Sequence, residues 1–284
     1  MTAEAQTKDA AWDALRTADA QSIDLVEGAL LIAGDEYPES EIDACRQMLA
    51  EHETALQARV ADVPPGLARL RTLNEYLFET ERFQGNDDDY YDPRNSYLNQ
   101  VLTRRLGNPI SLSILQIALG RSLGLEIEGV SFPGHFLTSL NLDDGVVVLD
   151  PYHRGRSLSL EELRKRASSY LKAHPFDDEQ MSRLLDPAQP RSILGRILRN
   201  LKQLYSERGE IERALRCSDR LVTLFDDTDP DERRDRGSLY QQAGHMHAAI
   251  LDWRDYLQRK PDAEDAAAIR AELIVHARPG PRLN

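Results

Sequence analysis

The chain has 284 residues, of which 41% are hydrophobic, and carries 48 acidic against 35 basic side chains. That is enough to bury one large core or two to three small ones, and it excludes a disordered chain. The net charge of −13 lies wholly in residues 1–100, since the rest holds 27 acids and 27 bases; a chain so charged is a poor binder of nucleic acid phosphates or of an anionic membrane, both of which need a basic face.

No window reaches 18 apolar residues. The longest candidate, Leu25 to Ala33, is broken by Glu27, so no membrane span is expected. The opening MTAEAQTKDAAWDALR lacks the basic and apolar regions of a secretory signal, which makes the cytoplasm the expected compartment. Ile23, Val26, Leu30 and Leu31 recur at helical spacing up to Gly34 and Pro38. Ser40 reads as the cap of a second helix through Ile42, Cys45, Met48 and Leu49. After Pro64-Pro65-Gly66, a third helix runs through Leu67, Leu70, Leu73, Leu77 and Phe78. The aspartates Asp87 to Asp89 that follow lack the spacing of a calcium loop and read as a solvated loop.

Near Asp92-Pro93-Arg94-Asn95 the pattern changes. A helix from Tyr97 to Arg105 ends at Gly107, and Pro109 opens an apolar helix, Ile110 through Leu123, that must be almost wholly buried. The period then falls to about two. Ile127 to Phe132, His135 to Leu142 and Val146 to Leu149 read as strands, with Asp143-Asp144-Gly145 as a hairpin turn. The middle of the chain is therefore expected to be one buried helix against a small antiparallel sheet.

Beyond Pro187 the chain is helical and repeats itself. Tyr205, Gly209 and Ala214 recur as Tyr240, Gly244 and Ala249, each 35 residues on, and the second copy adds Gly237, Tyr256 and Pro261. Small residues at a crossing, aromatic groove fillers and a closing proline resemble the tetratricopeptide repeat. Lys202 departs from the pattern, standing where a small residue is expected. A capping helix, Ala263 to Ala277, is expected after the repeats. Cys45 and Cys217 lie in helical patterns and read as buried thiols rather than a disulfide.

His135 opens one strand and Asp150 closes the next, so a hairpin can bring carboxylate and imidazole together, the former orienting the latter. The start of the apolar helix lies upstream, where a helix dipole favours an anion. A helix start, about fourteen residues to Leu123-Gly124, a strand, His135, then Asp150 before Pro151 together resemble the transglutaminase-like superfamily, whose papain-type core uses Cys, His and Asp. ALLIAGDEYP (29–38), YYDPRNSYLNQVLTRRLGNPISLSIL (90–115), GVSFPGHFL (129–137) and LDPYHRG (149–155) resemble its SirB-type branch. That resemblance implies an α+β, mainly helical protein in three parts. These are an acidic helical N-terminal region (1–92), a small papain/transglutaminase-like core with an antiparallel sheet (93–186), and C-terminal tetratricopeptide-like helical hairpins (187–284).

The carry-over fails at the nucleophile, because the superfamily cysteine falls at Gly107-Asn108-Pro109, where this chain has proline. Ser111 and Ser113 are the nearby hydroxyls, read either as substitute nucleophiles or as groups bonding the helix backbone. His135 and Asp150 are open to three readings. They are a pseudo-active site kept as a buried or ligand-recognising pair, a base and its orienting acid for another hydrolytic or acyl-transfer reaction, or, with His153, ligands of zinc type that lack tight ligand spacing. Asn95, Tyr97 and Asn99 read as pocket-mouth residues or as ordinary caps. Arg154 and Arg156 read as binders of a carboxylate or phosphate or as a solvated loop. His245 and His247 read as surface residues.

The function expected is a non-catalytic scaffold that takes a protein or peptide through its repeats, with no cofactor, metal, nucleic acid or membrane partner. The alternative is a protease-like or amidase-like hydrolase or acyltransferase using His135 and Asp150 with Ser111, Ser113 or water.

Overall fold

A computed structural model describes residues 3–19, 22–142, 145–171 and 177–277. In chain order it forms α1 (Ala3–Thr17), α2 (Leu25–Gly34), α3 (Glu39–Arg59), α4 (Leu67–Asn74), β1 (Gln84–Gly85), α5 (Leu98–Arg104), β2 (Leu106–Gly107), α6 (Pro109–Ser122), β3 (Ile127–Val130), β4 (Leu137–Leu142), β5 (Gly145–Asp150) and β6 (Arg156–Leu158). There follow α7 (Leu160–Leu171), α8 (Asp178–Leu184), α9 (Pro190–Glu207), α10 (Ile211–Phe225), α11 (Asp231–Gln242), α12 (Met246–Arg259) and α13 (Ala266–Ala277). The chain is thus mainly helical with one small antiparallel sheet, as expected. Among the described residues no helix is long and apolar enough to cross a membrane.

Contacts gather into two compact units, Ala18–Ile197 and a second that joins Met1–Thr17 to Leu198–Asn284. Met1–Thr17 thus groups with the C-terminal helices, and Ala18–Ile197 forms a unit of its own. Helices α2 to α4 pack on α5 and α6 inside the first unit, while α1 packs on α10 in the second. The acidic first hundred residues are therefore shared between two cores and do not form one region.

In the first unit α6 is the central element. It is apolar on every face, and Pro109 to Ile117, Leu119 and Gly120 are all buried between α2–α5 on one side and β3 and β4 on the other. Its start is fixed by a reciprocal cap: the Asn108 side chain accepts from the backbone N–H groups of Ile110 (3.0 Å) and Ser111 (2.9 Å), and the Ser111 hydroxyl accepts from the Asn108 N–H (3.0 Å). Gly120 lets β3 approach, because a Cβ there would lie 2.6 Å from Ile127.

The sheet has the order β3-β4-β5-β6, antiparallel throughout, with Thr138 opposite Leu149 and Leu142 opposite Gly145. Asp143 and Asp144 of the expected turn lie outside the described residues. Three strand expectations need correction. The first strand stops at Val130, the second begins at Leu137 and not at His135, and β6, which pairs Arg156 with Asp150, was not foreseen. Gly134 adopts φ +69°, and the His135 N–H donates to the Phe132 carbonyl (3.1 Å), so the chain turns where a strand was expected. The third helix also changes character. Beyond Asn74 it widens into i→i+5 turns, with Glu81 donating to the Tyr76 carbonyl.

The second unit realises the repeat. Gly209 and Gly244 both end a helix at positive φ (+72° and +79°). Glu210 donates to the Tyr205 carbonyl and His245 to the Tyr240 carbonyl, each at 2.8 Å, so the 35-residue offset holds bond for bond. At Gly237 a Cβ would lie 2.6 Å from the Trp253 ring, the close crossing that the small residue permits. Lys202 meets a different need: its ammonium pairs with Glu232 (2.8 Å) and Asp235 (2.9 Å), and this neutralises an otherwise buried glutamate.

Candidate functional site

Two turns build the site. The turn Phe132–His135 is anchored by the buried rings of Phe132 and Phe136 and presents His135 just ahead of β4. The end of β5 presents Asp150, which caps the following turn by accepting from the His153 N–H (3.3 Å). The chain then passes through Arg154 and Gly155, both at positive φ, and Gly155 donates back to the Asp150 carbonyl (2.9 Å). A Cβ on Gly155 would lie 2.6 Å from the Phe78 ring, so only glycine fits. The Asn74 amide accordingly reaches the Gly155 carbonyl (3.1 Å). Asn74 also accepts from Gln116 of α6 (2.7 Å), and Gln116 in turn accepts from the Thr138 hydroxyl (2.6 Å). This buried polar chain ties the turn after Asp150 to the central helix and to β4.

Asp150 is fully buried and collects three side-chain donors. His135 Nε2 lies 2.9 Å from Oδ1, while His153 Nδ1 (2.8 Å) and Arg166 Nη1 (3.0 Å) meet Oδ2. Burial alone would raise its pKa. The hydrogen bond from His135 and the positive character of both imidazoles outweigh burial and hold the carboxyl well below the usual carboxylate range. The rings of His135 and His153 lie 6.0 Å apart, and Tyr152 stands edge-on to both, at 6.1 and 5.3 Å. Tyr152 donates to Asp87 (2.8 Å), which with burial raises its phenol pKa.

In front of this cluster opens a cleft of about 660 Å³, bounded by the turn Pro133–His135, by His153 and by the α7 residues Lys165, Arg166 and Tyr170. That volume is in the range of ligand pockets. Arg166, Lys165 and Tyr170 escaped the sequence reading. Their signal was an i, i+3, i+4, i+7 face on α7 (Glu162, Lys165, Arg166, Ser169) set apart from the buried Leu163 and Ala167.

The other expected site residues lie elsewhere. The Ser111 hydroxyl donates to the Asn95 carbonyl (2.7 Å) within the cap of α6, and the Ser113 hydroxyl to the Pro109 carbonyl (2.7 Å). Among the described residues the His135 ring hydrogen-bonds to Asp150 alone, so neither serine joins the cluster. Pro109 is the buried first residue of α6. Asn95 is a buried loop organiser that takes the Asn86 amide and donates to the carbonyls of Asp89 and Tyr90. Tyr97 packs edge-on against Tyr37, and Asn99 donates to Glu41. These three belong to the interior and not to a pocket mouth. Among the described residues the Arg154 guanidinium hydrogen-bonds to Gln84 alone (3.4 Å), and Arg156 pairs with Glu162 (2.8 Å).

His135, Asp150 and His153 bring ligand atoms within 4.8 Å of one another. The fit to a metal is poor, because both carboxylate oxygens are already bonded and the Arg166 guanidinium occupies one of them. Neither cysteine is among the residues that line the cleft. Cys45 and Cys217 are both buried and form no disulfide with each other, and burial pushes the Cys45 thiol up to about 12.

Residues 43–199, which hold the sheet, α6 and the His135–Asp150 pair, match the model of the transglutaminase-like superfamily. The chain belongs to that superfamily. Residues 201–273 match a tetratricopeptide repeat. This transglutaminase-like chain is 43% identical to a UPF0162 protein of Xylella fastidiosa strain Temecula1 over 93% of both chains. It is 31% identical to a UPF0162 protein of Vibrio cholerae over 90% of this chain and 93% of that one. F-box only protein 21 of Homo sapiens is 30% identical over 55% of this transglutaminase-like chain and 23% of its own length. No solved structure gives a significant match.

Proposed function

We propose that this protein is a SirB-type, transglutaminase-like scaffold that binds a protein or peptide without covalent catalysis. The observation that carries the reading is the start of α6, the place to which the resemblance assigns the superfamily's nucleophile. Proline fills that position, the first N–H donors are spent on Asn108, and both nearby hydroxyls bond the main chain. A nucleophile needs a base in reach and free donors for the developing oxyanion. Here the donors are consumed, and the His135 ring bonds only to Asp150 among the described residues. Stacked helical hairpins at residues 201–273 support the binding role, since such repeats generally serve protein recognition.

The test is activity of the intact chain on p-nitrophenyl acetate, on a dansyl-amine transfer to casein and on casein hydrolysis, beside His135→Ala. Equal background rates in both proteins, with a protein partner recovered in stoichiometric amount by the intact chain, are expected. Turnover that His135→Ala abolishes while its circular dichroism stays unchanged overturns the reading.

A further inference from the structure

The cleft in front of Asp150 holds more positive charge than its surroundings neutralise. Among the described residues Glu162 is the one acid of its lining, and it is already satisfied by Arg156 (2.8 Å) and by the Ser159 N–H (2.9 Å) and hydroxyl. Asp150 lies behind the lining, with three side-chain donors of its own. Among the described residues, Lys165 on the cleft wall has no hydrogen-bonding or ionic partner for its ammonium, and Arg154 beside the site has no carboxylate partner. Arg196 supports the His135 turn from behind, donating to the His135 carbonyl (2.9 Å) and the Ser131 hydroxyl (3.1 Å) and lying over the Phe136 ring. Again no acid meets it. The contrast is with the repeats of the same chain, where Arg233, Arg234 and Arg236 each pair with aspartates. Unbalanced cations in a partly enclosed site attract anions, and here they are gathered in a chain of net charge −13.

We propose that this cleft binds side-chain carboxylates of an acidic peptide segment, with Lys165 as the principal cation, Arg166 and the two imidazoles along the wall, and Tyr170 packing against the peptide at the rim. The proposal rests on the peptide-binding reading above and names the chemistry of the peptide. The cleft is open, and Tyr170 is 62% exposed, which suits an extended chain better than a buried small ion. A phosphate would call for a free arginine fork or a nest of backbone N–H groups. Arg166 already gives part of its fork to Asp150, and Glu161 and Glu162 occupy the first turn of α7.

The experiment measures fluorescence anisotropy of fluorescein-labelled hexaglutamate and hexaglutamine on the full chain, with Lys165→Ala, Lys165→Glu and Arg183→Glu. Arg183 lies exposed on α8, outside the cleft, and its variant carries the same charge change as Lys165→Glu. Saturable binding of hexaglutamate over hexaglutamine is expected, weakened about tenfold by Lys165→Glu, less by Lys165→Ala and not by Arg183→Glu. Equal binding of the two peptides, or equal loss in Lys165→Glu and Arg183→Glu, overturns the proposal. So does displacement of the peptide by inorganic phosphate at concentrations where succinate has no effect, which would assign the site to phosphate. Turnover lost in His135→Ala would defeat the scaffold reading and leave the glutamate preference standing. Absence of that preference would defeat the cleft assignment alone.

Discussion

Replacing Asp150 by Asn keeps the shape of a fully buried side chain and removes the charge on which His135, His153 and Arg166 converge. Breaking a buried ion pair costs about 3–5 kcal/mol, and Arg166 and His153, which keep access to water, put this case near the lower end, about 3 kcal/mol. For a unit of this size the corresponding drop in Tm is about 6–12 °C. The pH dependence follows from the direction of the Asp150 shift. Burial opposes ionisation, but the His135 hydrogen bond and the two imidazoles hold the folded pKa below the ordinary aspartate value of about 3.9. The unfolded chain therefore binds the proton first as pH falls. The stabilisation is complete above that value and fades as pH drops toward the folded pKa. The gap between wild type and Asp150→Asn should be full at pH 7 and narrow steadily below about pH 4. Far-UV circular dichroism in urea and on heating is the assay, because both tryptophans, Trp12 and Trp253, lie in the other unit. A Tm within about 1 °C of wild type at neutral pH, or a gap that widens below pH 4, would refute the reasoning.

Ser111→Ala removes one half of the α6 cap and should cost about 1 kcal/mol in the urea midpoint, with no change in any turnover. Cys45, with a thiol raised to about 12, should resist Ellman's reagent at mildly alkaline pH in the native protein and react at once in guanidinium; rapid native reaction would show that its helix is not packed as described. Gly237→Ala forces a Cβ to within 2.6 Å of Trp253 and should lower the repeat unit's stability by about 1–3 kcal/mol, more than the gain in helix propensity returns. Tryptophan fluorescence follows that loss, and an unmoved midpoint would mean that Trp253 shifts freely.

What the sequence made legible was local. The 35-residue offset of tyrosine, glycine and alanine became matching helix ends, because each position answers to its own hairpin. The pairing of His135 with Asp150 was legible because two antiparallel strands with a short connection leave few registers. The position of His135 in a turn was not, since the pattern after Gly134 reads as a strand from His135 onward, while the backbone at Gly134 goes to positive φ and β4 begins only at Leu137. Arg166 stayed hidden for a different reason. It reaches Asp150 from a helix sixteen residues on, and neither residue carries a local mark of the other. The roles of Ser111 and Asn95 were ambiguous because hydroxyls and amides cap helices and line sites with the same atoms, and only the partner's position separates the two. The packing of α1 on α10 joins segments far apart in sequence, and no local pattern announces it.

The packing of α1 on α10 bears on how the protein is made. Trp12 is wholly buried beneath Arg220, whose guanidinium stands 5.1 Å over the ring and pairs with Asp9, 211 residues earlier in the chain. At a synthesis rate of about 5–20 residues per second, α1 waits about 10–40 s for α10 to emerge. During that interval all of Ala18–Ile197 leaves the ribosome and can fold, while the indole of Trp12 has nothing native to cover it. Asp9 and Asp13, which flank that tryptophan in the sequence, act as charged gatekeepers for the waiting helix.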